Sequence, residues 1–137
     1  CYFKGMQPDS SALALSEQFG KVIVVDVWAT WCAPCRMMIP YFKQLEKELE
    51  GEEIEFLSVC IGTYVEWDRW KKIIATEELT GHLIFINSWI KGFAKEYRIV
   101  GVPRFLIFDR EGRIVSVNAP APNKPALKKL ILKTLGK

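Results

Sequence analysis

A chain of 137 residues has the size of one domain and can bury a substantial core without structural disulfides. Half of its residues are hydrophobic and 26% are charged, an ordinary globular balance, and no apolar run approaches the roughly 20 residues that span a bilayer. The net charge is only +3, and no Lys/Arg cluster is interleaved with aromatics, so nothing in the chain points to nucleic-acid binding. The start, Cys1-Tyr2-Phe3-Lys4-Gly5, has no signal-peptide pattern. It fits a processed terminus, a segment of a longer protein or a cloning remnant better than a lipid-modified cysteine. Pro8-Asp9-Ser10-Ser11 marks a loop, and Ser16 is the expected N-cap of a single turn ending at Gly20, so residues 1–20 are expected to form an irregular lead-in with little strand.

The run Val22 to Trp28 is almost unbroken in β-branched residues, as in a strand buried on both faces of a parallel sheet. It delivers Cys32-Ala33-Pro34-Cys35 to the start of a helical pattern, in which Met38, Phe42, Leu45 and Leu49 share one face and Gly51 ends the run. Pro40 lies inside the pattern and is expected to kink the helix into a short turn carrying the cysteines and a longer arm. A C-x-x-C pair at a helix N-terminus is a redox arrangement: unpaired N–H groups and the positive dipole end favour a thiolate, the nucleophile of thiol–disulfide exchange. Cys35, one turn on, is placed to close a short disulfide. A structural zinc site wants four ligands, and only His82 and the isolated Cys1 and Cys60 are on offer; covalent haem wants a His after the second Cys, where Arg36 stands. A purely structural cysteine pair is the remaining bland alternative.

Ile54 to Ile61 reads as a second strand, joined to the first by a right-handed parallel crossover, with Cys60 as a small buried hydrophobe. Glu66 to Ile74 has helical spacing, with Trp67 and Trp70 expected in the core. Leu83 to Ile86 is expected as a short strand, and a further helix is expected from Ser88 as N-cap through Trp89, Phe93 and Tyr97. Arg104 to Phe108 and Arg113 to Val117 flank the turn Asp109-Arg110-Glu111-Gly112 as an antiparallel hairpin. Pro120, Pro122 and Pro125 keep the next connection extended before a helix from Ala126 to Leu135, whose stripe is Leu127, Leu130, Ile131 and Leu135.

Two stretches carry a family resemblance. Val25-Asp26-Val27-Trp28-Ala29-Thr30-Trp31-Cys32-Ala33-Pro34-Cys35 resembles thioredoxin, and Gly101-Val102-Pro103-Arg104-Phe105-Leu106-Ile107-Phe108-Asp109 resembles that fold's cis-proline strand. The longer middle section, with Trp67, Trp70, Ser88-Trp89 and Phe93 to Tyr97, is closer to the bacterial envelope thiol–disulfide oxidoreductases of the TlpA/ResA kind. The dipeptide Ala33-Pro34 departs from thioredoxin's Gly-Pro, and the segment before Lys21 is shorter than the family's usual N-terminal hairpin.

The resemblance implies an α/β thioredoxin-like fold over 1–137, with a central mixed sheet flanked by helices and an elaboration between the second strand and the cis-proline strand. It implies that Cys32 and Cys35 exchange a disulfide with cysteines of partner proteins, as a reductase fed by an upstream electron donor. No cofactor is expected beyond the Cys32–Cys35 disulfide itself, and no metal; the expected setting is the bacterial envelope or periplasm, as a monomer. Substrate would meet Trp31, Val102, Pro103 and Arg104, with Pro103 cis. Asp26, among five valines and isoleucines, is either a desolvated acid with raised pKa or a partly solvated acid bonded to backbone; its position matches the family's buried acid and favours a proton role toward Cys35. A thiol peroxidase would want a Pro-x-x-x-Thr-x-x-Cys motif, whereas Thr30 stands two residues before Cys32 without the matching proline. A non-catalytic interaction module would have no need of both cysteines, Asp26, Trp31 and Pro103 together.

Overall fold

The β-branched run Val22–Trp28 (β3) is an interior strand of a seven-stranded sheet in a computed structural model that describes residues 3–87 and 92–137. Its side chains alternate by the strand period of two. Ile23, Val25 and Val27 enter a core with Leu57, Val59, Leu106, Phe108 and Tyr97, while Val22 and Val24 enter another with Phe42, Leu45, Leu127 and Ile131. All five are fully buried, which is why no alternation of polarity shows in this strand.

The sheet order is β2 (Ala12–Ala14), β1 (Lys4–Met6), β5 (His82–Ile86), β4 (Ile54–Ile61), β3, β6 (Arg104–Phe108), β7 (Ile114–Ser116). Ile54–Ile61 (β4) lies parallel to β3 from Val22↔Ile54 to Trp28↔Cys60, and His82–Ile86 (β5) lies parallel to β4, so the middle strand is an integral sheet member. Arg104–Phe108 (β6) runs antiparallel to β3, and Ile114–Ser116 (β7) antiparallel to β6. The turn between β6 and β7 needs Gly112: its φ is +83°, and a Cβ there would run into the Phe19 ring.

Helices cover both faces. Ala33–Glu48 (α1) and Pro125–Leu135 (α4) bury Phe42, Leu45, Leu127 and Ile131 against one side. One helix of 16 residues runs through Pro40, with the ring on the exposed face, where water can meet the carbonyl that loses its donor. Trp67–Thr76 (α2) follows a 3₁₀ turn at Tyr64–Glu66 and buries Trp70 fully, while Trp67 stays partly covered against Trp70 and Phe85.

Three expectations require correction. Residues 1–20 are not an irregular lead-in: Lys4–Met6 (β1) and Ala12–Ala14 (β2) pair antiparallel, and β1 extends the sheet through Met6↔Phe85. Ser16 lies inside the 3₁₀ turn Leu15–Gln18 rather than capping it, and Glu17 accepts the Ala14 N–H at 2.6 Å in its place. The expected helix through Phe93 and Tyr97 starts only at Phe93 (α3, Phe93–Glu96), because Gly92 at φ +64° leaves the helical path; Ser88 and Trp89 lie outside the described residues, as does Cys1.

Candidate active site

The end of β3 and the start of α1 put the two cysteines together. Cys32 is the N-cap of α1 and Pro34 stands in its first turn, where a missing N–H costs nothing. Cys32 and Cys35 form a disulfide with Cα atoms 5.3 Å apart. The Cys35 N–H donates to Cys32 Sγ at 3.2 Å, so a helix-end donor already points at the sulfur that would carry a thiolate charge once the bond is reduced. Val102 O lies 3.7 Å from the same sulfur, and the Val102–Pro103 peptide bond is cis. Both cysteines are 4% exposed, whereas Trp31 stands 58% exposed beside them and Ala33 and Pro34 are open to solvent. Arg104 is turned elsewhere: its guanidinium donates to the carbonyls of Val117 and Arg98 at 3.2 and 3.5 Å.

Asp26 points to the α1 side of the sheet, where it lines a cavity of about 20 Å³ with Ser58, Ile39, Lys43 and Glu46, room for about one water. Burial lifts its pKa to about 7, the Glu46 carboxylate adds to the rise, and a hydrogen bond with Ser58 opposes it. Ser58 sits opposite Asp26 in the β3–β4 register and also accepts the Trp28 indole N–H at 2.8 Å, which fixes Trp28 beneath the site. Glu46 is likewise held at about 7, by burial, with Lys43 pulling the other way.

Three residues of this assembly escape the sequence reading. Ser58 is the one hydroxyl in β4, whose only other polar side chain is Glu55 near its start, a signal once the parallel register is drawn. Glu46 falls among the polar residues of α1 and gives no signal. Thr30 is 4% exposed and donates to Glu66 Oε1 at 3.3 Å, while Glu66 Oε2 accepts the Thr63 N–H at 2.7 Å, so the loop before Cys32 is tied to the start of α2. Cys60 is fully buried and unpaired; burial first, then the charges of Glu66 and Asp26, push its thiol pKa far up and leave it inert. Among the described residues no group of three or more His, Cys, Asp or Glu converges as a metal site would.

Comparison with known proteins bears on this geometry. The redoxin family matches residues 3–131. The thioredoxin-like protein YneN of Bacillus subtilis is 28% identical over 81% of this chain and 64% of its own length. The thiol-disulfide oxidoreductase ResA of Oceanobacillus iheyensis is 35% identical over 45% of this chain and 33% of its own length. The chain therefore spans less than two thirds of either relative. A solution structure of a Bacteroides vulgatus protein, named as a thiol-disulfide oxidoreductase, superposes with a TM-score of 0.87 and 32% identity, covering 99% of this chain and 88% of that one. A dithiol pair at the head of α1, on a sheet of this order and with a family match over almost the whole length, leaves one assignment: the chain belongs to the redoxin family, with the thioredoxin-like fold of the thiol-disulfide oxidoreductases.

Proposed function

We propose that this chain reduces disulfides of partner proteins through the Cys32–Cys35 pair. The observation that carries the reading is the Cys32 sulfur at the N-terminus of α1, met by the Cys35 N–H and lying beside the Val102 carbonyl. In the reduced protein the Cys32 thiolate attacks one sulfur of a partner disulfide. A Cys32–partner bond forms, and the partner's other sulfur leaves as a thiolate and takes a proton. Cys35 then gives its proton toward Asp26, attacks Cys32 and expels the partner's second thiolate. Two electrons have passed from the dithiol to the partner, and an upstream dithiol donor returns them.

Trp31 offers the partner an exposed apolar contact, and the backbone of Val102 offers an extended chain a strand-like hydrogen-bonding edge. Pro103 and Arg104 shape that edge, the latter by holding the loop at Arg98 and the end of the β6–β7 hairpin. We place the protein in a bacterial envelope on its likeness to ResA; no described helix is long and apolar enough to cross a membrane.

Titrating the pair against glutathione tests the direction. Potentials of C-x-x-C proteins run from about −270 to −120 mV, and a reductase is expected near the lower end. A midpoint near the upper end would make the protein an oxidant. Cys35→Ser is expected to arrest as mixed disulfides on Cys32 that dithiothreitol releases; turnover of a model disulfide at the wild-type rate by this variant would end the two-cysteine mechanism.

A further inference from the structure

Helix α2 turns Trp70 and Ile73 inward. At helical spacing, Arg69, Lys72 and Thr76 form the adjoining ridge, and this ridge lines a groove of about 540 Å³ whose opposite wall is Thr30, Trp31 and Arg36. That wall brackets Cys32 in sequence on both sides. Three cations and no carboxylate line the groove. Arg36 is partly neutralised by Glu77, 3.2 Å away, whereas Arg69 and Lys72 have no ion pair or hydrogen bond among the described residues. Glu66, the acid nearest in sequence to Arg69 after Asp68, is engaged with Thr63 and Thr30. A basic helix face is ordinarily just a solvated face. Here it is one side of a groove whose other wall is made by residues that flank Cys32 and Cys35 in the chain, in a chain whose whole net charge is +3.

We propose that the Arg36/Arg69/Lys72 groove receives an acidic stretch of the partner protein, placing one or more carboxylates next to the partner cysteine that pairs with Cys32. The proposal rests on the disulfide-reduction reading above and adds to it the chemical class of the substrate. Trp31 supplies the apolar contact at the sulfur, and the cations fix on which side the rest of the partner chain lies. Opposite charges would also speed the encounter, in a manner that salt removes.

The test uses the pre-reduced protein and peptides that hold one internal disulfide, identical except for flanking residues that are Asp/Glu in one and Lys in the other. At low ionic strength the acidic peptide is expected to be reduced about tenfold faster in kcat/KM, a ratio that shrinks at about 0.5 M salt. Arg69→Glu with Lys72→Glu is expected to invert the preference, and Arg69→Gln with Lys72→Gln to flatten it without introducing new charge. Equal rates for the two peptides with the wild-type protein, or a ratio that neither double variant moves, would overturn the proposal. Uncharged hydroxyethyl disulfide separates the two levels. Its reduction alongside equal peptide rates removes the groove alone, whereas no reduction of it or of either peptide removes the underlying exchange reaction.

Discussion

At the scale of single residues the proposed exchange depends on one desolvated acid. Asp26 stands on a strand whose neighbours are fully buried, and its pKa near 7 places it at the operating pH of a general base. Asp26→Asn is expected to leave the first attack by Cys32 comparatively intact and to slow resolution by Cys35 by about 10²- to 10⁴-fold. Stopped-flow rates for the two steps check this; unchanged resolution would make Asp26 a structural acid. In the sequence Cys32, Cys35 and Asp26 stand out because each breaks its surroundings: a C-x-x-C pair at a strand-helix junction, a carboxylate in an aliphatic run. Ser58 and Glu46 were not legible, since their partner is distant in sequence and meets them only after β3, β4 and α1 assemble.

At the scale of elements the chemistry is directed by the end of α1. Its first N–H groups and positive dipole end lie at Cys32, whereas Cys35 is already inside the helix and Cys60 is sealed in β4. Since Cys32 and Cys35 are equally covered in the oxidised protein, exposure does not distinguish them and the helix terminus must. Iodoacetamide at pH 7 is therefore expected to label Cys32 of the reduced protein far faster than Cys35 or Cys60, as read by peptide mass mapping; preferential labelling of Cys35 would reverse the nucleophile assignment. The long elements were legible for a related reason. β3, β4, α1 and α4 each bury enough side chains to impress a period on the sequence. Strands β1 and β2 have three residues each, and among the described residues β1 meets β5 at the one position Met6↔Phe85, so too few side chains are buried for any alternation to show.

At the scale of the whole molecule two half-buried carboxyls, Asp26 and Glu46, bear on the pH dependence of stability. The described ion pairs join side chains that are at least partly exposed, and each such pair contributes only about 0–1 kcal/mol. Asp26 and Glu46 act in the opposite sense to a salt-bridged acid. Their folded pKa values, about 7, lie above the ordinary carboxyl values of 3.8 and 4.5 that hold in the unfolded chain, so between about pH 4 and pH 7 the folded state holds more protons. Folding free energy is therefore lost as pH rises through that window and levels off above it. For Asp26 the loss is on the order of a few kcal/mol, and Glu46, which is less covered, adds less. The amide of Asp26→Asn has no charge to desolvate, so the variant should match or exceed the wild type above pH 7 while turning over more slowly. Urea melts of the oxidised protein at pH 5, 6, 7 and 8 check this, because Cys32 and Cys35 cannot titrate in the disulfide. The wild-type midpoint is expected to fall across the series, that of Asp26→Asn to fall much less, and that of Asp26→Asn with Glu46→Gln least. Comparing variants at each pH cancels every titration they share with the wild type. Equal slopes for wild type and Asp26→Asn would mean that Asp26 is ionised in the folded protein throughout and has no raised pKa matched to general-base work at neutral pH.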